Sequence, residues 1–293
     1  MTLPARVGAD GAFPFGQPNG PRPWRWGAPG LPDHLVIGVY PSALHVRWEA
    51  PAFAKDHRGP RGVVGSMAID VEPQVFWNGK DAETRINSWK SDVGFVEGDQ
   101  EGCHGHIEPA TNGPTGDALF AEYLPKLGWT EADTALLDVY PVYLVKRGSD
   151  SQRGQGRAIE EEYDPLAGHL SRASGGTFQA SNLPERPTAK QLPKMAAERF
   201  GAWLVEALTE LRPSAVITLG QEPWDTLELL PGVEVSAPAA DLSALLPNNY
   251  GQAGRIVVDH QVVEWTPLAH PGLIRQDTGR WAAAHGRWIG TEA

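Results

Sequence analysis

Chemistry in this chain is sought first at the ends of short apolar runs, where loops gather polar and aromatic side chains. Leu35-Val36-Ile37-Gly38-Val39 is such a run, and Pro41, which cannot donate to a sheet ladder, stops it. Ligands of open α/β sheets bind beyond the carboxyl ends of the strands. The loop Tyr40 to His45, with Ser42 in it, is therefore the first candidate site. Leu136-Leu137-Asp138-Val139-Tyr140-Pro141 repeats the arrangement and brings an acid, Asp138, to a second strand end. Asp70 closes the apolar segment Val63 to Val71, either facing a cleft or facing solvent. Phe76 and Trp77 are adjacent rings on a loop, placed to stack on a flat ligand or to plug a core. His270 lies in the loop Thr266 to Gly272 after a strand near the carboxyl end. Cys103-His104-Gly105-His106 offers three metal-ligating side chains, but no fourth ligand is evident nearby, so no metal and no cofactor is expected.

The elements that must carry these residues alternate along the chain. Strands are predicted at Leu35 to Val39, Val63 to Val71, Ala135 to Val139, Ala215 to Leu219, Arg255 to Val258 and Val262 to Trp265. Helices are predicted at Asp117 to Leu127, Glu222 to Leu230 and Gly279 to Ile289. Lys190 to Leu211 is the clearest helix, with Phe200, Trp203, Leu204, Ala207, Leu208 and Leu211 spaced to bury one face. Helices between short strands imply a three-layer α/β/α sandwich with a mostly parallel central sheet. Residues 1–33, rich in Pro and Gly, read as an arm lying over a single domain of residues 34–293. Residues 148–186, polar and rich in Gly and Ser, read as an insertion.

Composition narrows the function classes. The 293 residues are 41% hydrophobic, enough for a substantial core. A single cysteine, Cys103, excludes an intrachain disulfide and fits a reducing, cytoplasmic setting. No run of about 18 apolar residues is present, so no membrane span is expected. The net charge of −11 opposes chain-wide attraction to nucleic acid. Local basic sets remain: Lys146, Arg147, Arg153 and Arg157 against Asp150 alone, and Arg275, Arg280 and Arg287 near the carboxyl end. Each is either a phosphate-facing patch or a solvated face.

Three features taken together carry a resemblance. A Gly-x-x-Pro-Ser loop after the first strand is followed by a long helix leading into Val216-Ile217-Thr218-Leu219-Gly220. A His270-Pro271-Gly272 loop then precedes a terminal helix. In this order the chain resembles the uracil-DNA glycosylase superfamily over most of residues 35–289. The resemblance implies a DNA-repair hydrolase that breaks the N-glycosidic bond of a nucleobase. His270 would stabilise the departing base anion, and the loop around it would grip nucleic acid. Tyr40 stands where the family has Asp or Asn to position water, with Asp70 as the acid that could supply the missing charge. Ile69 falls at the stacking position, with Phe76 or Trp77 as substitutes. Asp138 falls at the base-reading Asn. Ser42, Arg275 and Arg280 would hold phosphates.

An ionised Asp138 offers only acceptors, so it would select an edge with two donors, as guanine or protonated cytosine presents; equally, it caps its own turn. The expected function is thus an N-glycosidase on nucleic acid or a nucleoside, not necessarily on uracil. The alternative is a non-catalytic member of the same fold that binds a nucleotide, nucleic acid or a protein partner, and a metal-dependent hydrolase around His104 and His106 is a weaker third class.

Overall fold

The computed structural model describes residues 24–25, 30–55, 64–145, 163–164, 167, 184–276 and 279–290. The basic set Lys146 to Arg157 and nearly all of the 148–186 insertion lie outside the described residues, as does most of the amino-terminal arm.

Nine strands form two sheets among the described residues. Six of them, β1 (His34–Gly38), β5 (Thr134–Asp138), β6 (Ala215–Leu219), β7 (Val233–Ser236), β8 (Gly254–Val258) and β9 (Gln261–Leu268), make one sheet in the order β5-β1-β6-β9-β8-β7. The neighbours β5-β1, β1-β6 and β6-β9 run parallel, whereas β8 pairs antiparallel with both β9 and β7. The protein is thus mixed α/β with a mostly parallel six-stranded sheet. Five of its strands fall on predicted apolar runs, whereas β7 is not predicted, and the run Val63 to Val71, predicted beside them, belongs to the second sheet. The register matters for function. Gly38 pairs with Asp138, Ile37 with Thr218 and Leu219 with Leu268, so four parallel strands finish at one rim. Backbone pairing of the first two continues past the rim, Val139 N–H donating to Gly38 and Tyr140 N–H to Val39.

The other three strands, β2 (Ala43–Glu49), β3 (Val64–Val71) and β4 (His106–Pro109), form an antiparallel sheet in the order β3-β2-β4. This sheet departs from the sequence reading, which leaves Ala43–Glu49 and His106–Pro109 in loops. Its own core gathers Val46, Trp48, Met67, Ile69, Ile107 and Tyr163, with Ile86 and Trp89 of a helix. Asn112 fixes the start of β2: its side-chain oxygen accepts from His45 N–H at 2.7 Å, and its amide donates to the His45 carbonyl at 2.9 Å.

The helices are α1 (Ala52–Lys55), α2 (Ala82–Asp92), α3 (Pro114–Ala118), α4 (Leu124–Leu127), α5 (Leu192–Leu211), α6 (Gln221–Leu229), α7 (Pro271–Gln276) and α8 (Arg280–Ile289). A π-helical turn, Leu119–Tyr123, joins α3 to α4. Helix α5 buries the face that its spacing marks, and α6 packs on it where Gly201 lets Leu230 approach. Helices α3, α7 and α8 make a second group. No helix among the described residues is long and apolar enough to cross a membrane.

Trp24 and Arg25 of the arm touch the body. Trp24 stacks on Trp203 at 5.7 Å, and Arg25 exchanges both backbone hydrogen bonds with Leu136 on the outer edge of β5. The Arg25 side chain adds an ion pair to Glu131 and lies over the Phe120 ring.

Candidate functional site

Each parallel strand delivers one element of the cluster at the rim. Strand β1 ends in Gly38, whose missing side chain makes room. A Cβ there would lie 2.3 Å from Asp138 Oδ1 and 2.6 Å from Phe76 Cζ, so only glycine lets this acid and this ring meet. Phe76 holds a left-handed backbone, φ 53°, which costs a non-glycine residue about 1–2 kcal/mol. Its loop is seated on bare backbone at Gly79, Gly113 and Gly116; a Cβ on Gly116 would stand 2.2 Å from the Phe76 carbonyl oxygen. The ring is thereby pinned at the mouth of β1.

Asp138 is buried, 4% exposed, and burial pushes its carboxyl up to about 8. It is therefore mostly a neutral acid at pH 7. A neutral carboxylic acid carries one O–H donor beside one carbonyl acceptor, the same pair that an Asn amide presents. This corrects the expectation of an acceptor-only Asp138: the edge it matches carries an acceptor next to a donor, as the C=O and N–H of an imide do.

His270 follows β9 and opens α7. Its Nδ1 accepts from Gly272 N–H at 3.0 Å, so in the neutral ring the proton sits on Nε2, on the far side of the imidazole. Gly220, after β6, has a positive φ of 104°, which favours glycine, and a Cβ there would stand in ordinary contact, 3.7 Å from His270 Cβ and 3.5 Å from Glu222 Oε2, so both residues flank this strand end. Glu222 Oε1 accepts from Arg186 Nη2 at 2.6 Å, and the guanidinium lies 5.5 Å from the centre of the Tyr40 ring. Burial pushes the Tyr40 hydroxyl up to about 12, against the opposing pull of Arg186. Tyr40 is therefore no base near neutral pH, but its O–H can orient a bound water. A cavity of about 530 Å³ adjoins the cluster and shares Arg186 with it, lined also by Thr188, Gln191, Lys194 and Met195.

The sequence candidates separate cleanly. Tyr40, Asp138 and His270 stand at the ends of parallel strands on one rim, and the Phe76 ring meets Asp138 over Gly38. Ile69 does not: it is the bulged residue of β3, between Asp70 opposite Leu44 and Ala68 opposite His45, and its side chain is buried in the core of the small sheet, whereas the Phe76 ring stands over Gly38. Trp77 belongs to that same second core, its indole N–H donating to Asp81 at 2.6 Å. Asp70 is exposed, and its carboxylate accepts from the N–H of Val71, so it carries no charge into the cluster. Ser42 is half-buried before β2, and Arg275 and Arg280 are exposed on the histidine side, on α7 and at the start of α8. His104 is buried and its Nδ1 accepts from Val96 N–H at 2.7 Å, while His106 pairs with Asp99 at 3.1 Å. Among the described residues no group of three or more ligating side chains could hold a metal ion.

No model of a known protein family matches the chain, and no curated protein matches it. The site is consequently read from its own geometry.

Arg186 and Glu222 are the residues the sequence does not flag. Both lie outside any motif, one in a polar stretch and one in the first turn of a short helix. The usable signal is Gly220 directly after an apolar strand: a glycine at a parallel strand end marks close approach, and the next acid is drawn to the helix start. The two Val-Tyr-Pro repeats also diverge. Tyr140 turns to α5, taking a hydrogen bond from Arg199 at 3.1 Å and packing edge-on against Phe200, whereas Tyr40 stays at the rim.

Proposed function

We propose that this chain is a divergent relative of the uracil-DNA glycosylase superfamily, with its three-layer fold, acting as an N-glycosidase on a flipped nucleobase. One observation supports this above the others: a strand-end glycine, a stacking ring, a buried neutral acid and an Nε2–H histidine share one rim of a parallel sheet. In this reading the base stacks on Phe76 and is read by Asp138 through adjacent C=O and N–H groups. As the bond between sugar and base breaks, its electron pair leaves with the base, and His270 Nε2–H donates to the base oxygen that gathers the charge. Positive charge builds on the sugar. Glu222, braced by Arg186, is the carboxylate that answers it, taking the task that the sequence offers to Asp70. Tyr40 orients the attacking water. For a duplex substrate the base must leave the stack, and Ser42, Arg275 and Arg280 are placed to hold phosphates. Leu273, 38% exposed three residues after His270, is the apolar side chain available to fill the vacated space.

The test is base release, followed by chromatography, from single- and double-stranded DNA and RNA carrying normal, deaminated and alkylated bases. Release of a base with an imide edge is expected, and it is lost in His270→Ala while the fold persists. Release confined to bases without that edge overturns the role of Asp138. No release from any substrate, with nucleotide binding retained, identifies a binding protein on the same scaffold.

A further inference from the structure

His270 Nδ1 accepts from Gly272 N–H, and the backbone that carries the ring is fixed separately. The last ladder bond of β9 is Gly220 N–H to the Leu268 carbonyl, 2.8 Å. The next residue, Ala269, is fully buried and has left the sheet. Both of its backbone groups are nevertheless satisfied, each by a tyrosine hydroxyl. Tyr123 donates to the Ala269 carbonyl at 2.8 Å, and Ala269 N–H donates to the Tyr250 hydroxyl oxygen at 3.1 Å. Behind them lies His285, 2% exposed, with Nδ1 at 3.3 Å from the Tyr250 hydroxyl and Nε2 at 3.0 Å from Glu122 Oε2. Trp288 packs against Tyr123, Tyr250 and His285, closing the group.

One proton arrangement satisfies these four bonds. Ionised Glu122 can only accept, so His285 carries its proton on Nε2 and accepts at Nδ1 from the Tyr250 O–H. Tyr250 is then free to accept from Ala269, and Tyr123 to donate. Burial lowers the His285 proton affinity, with Glu122 opposing, which keeps the neutral ring this arrangement needs. Glu122 and Tyr123 both come from the π-helical turn Leu119–Tyr123. Such turns are rare and concentrate at functional sites.

We propose that Tyr250 and His285, set by Glu122 from the π-turn, are positioning residues that hold the backbone at Ala269 and thereby aim His270 at the base. The role for His270 rests on the function proposed above; the clamp itself does not. None of these three touches the base in this reading. They act through the peptide that precedes His270.

The experiment compares the full chain with Tyr250→Phe, Glu122→Leu and Glu122→Gln. Imidazole nitrogen resonances of His270 in the unliganded protein are the first readout, and kcat and KM for base release the second. Tyr250→Phe is expected to move the His270 nitrogen shifts and to speed Ala269 amide exchange at least about tenfold. In base release kcat should fall by about tenfold or more, with KM within about twofold. Glu122→Leu should change both readouts in the same direction, and Glu122→Gln, which keeps an acceptor, should restore them. Unchanged His270 resonances in Tyr250→Phe, or equal behaviour of the two Glu122 variants, overturn the proposal. Should Tyr250→Phe fail to fold, the Glu122 pair decides, since that side chain is 42% exposed. A wild-type protein that releases no base refutes the proposed function, while the resonances still judge the clamp.

Discussion

Replacing Asp138 with Asn separates the cost of a buried acid from everything else at the site. The folded protein holds the Asp138 proton until about pH 8, because burial disfavours the carboxylate. In the unfolded chain the same group ionises near pH 4. Below about pH 4 both states are protonated, and the stability contribution is whole. From there to about pH 8 unfolding releases a proton, so stability is lost at about 1.4 kcal/mol per pH unit. The loss at pH 7 is about 4 kcal/mol, and it levels off above pH 8 at about 6 kcal/mol. Against a whole-domain stability of about 5–15 kcal/mol this is large. Asn has nearly the same shape and the same donor and acceptor, but no proton to lose. Urea unfolding of both proteins from pH 4 to pH 9 should therefore show curves that diverge, Asp138→Asn becoming the more stable as pH rises. Base release should follow: the wild type declines through about pH 8 as Asp138 loses its donor, and the variant does not. Parallel stability curves across that range would refute the buried neutral acid, and with it the match to an imide edge.

Other outcomes test the remaining parts. Gly38→Ala should abolish base release and destabilise the fold by about 1–3 kcal/mol in urea titration, since its methyl group meets Asp138 and Phe76. Leu273→Ala should slow release from duplex severalfold and leave single-stranded substrate unaffected; equal losses on both would remove Leu273 from the opening of the stack. Arg275→Gln and Arg280→Gln should each reduce the slope of log affinity against log salt by about 1 if that residue neutralises a phosphate, as fluorescence titration over a salt series would report.

Strands β1, β5 and β6 were legible because each is a short apolar run followed closely by Gly or Pro, a signal that needs no neighbour, whereas β9 runs on through Pro267, opposite Thr218, to Leu268, past its predicted end at Trp265. The small sheet was harder. Strand β2 does carry a period-two signal, Leu44, Val46 and Trp48 buried against His45, Arg47 and Glu49, but it begins two residues after Pro41 and merges with the loop. Strand β4 has a single buried residue, Ile107, and is held by its partner rather than by its own propensity. Choosing between Ile69 and Phe76 was beyond local sequence: both are apolar, and only the placement of Gly38 and Gly116 against Phe76 decides which side chain reaches the rim. Asp138 is legible as an acid at a strand end, but its charge state depends on burial that no spacing encodes.

The Arg25 bridge to Leu136 has a meaning beyond packing the arm. Strand β5 is the border of the six-stranded sheet, all five of its residues are buried, and a bare border of that kind invites another chain to add a strand. Arg25 occupies the hydrogen-bonding groups of Leu136 with two backbone bonds and sets a cation at the same place, which an incoming strand would have to displace. It blocks strand addition beside the rim itself, since its Nη1 also donates to the Val75 carbonyl, next to Phe76, at 3.4 Å.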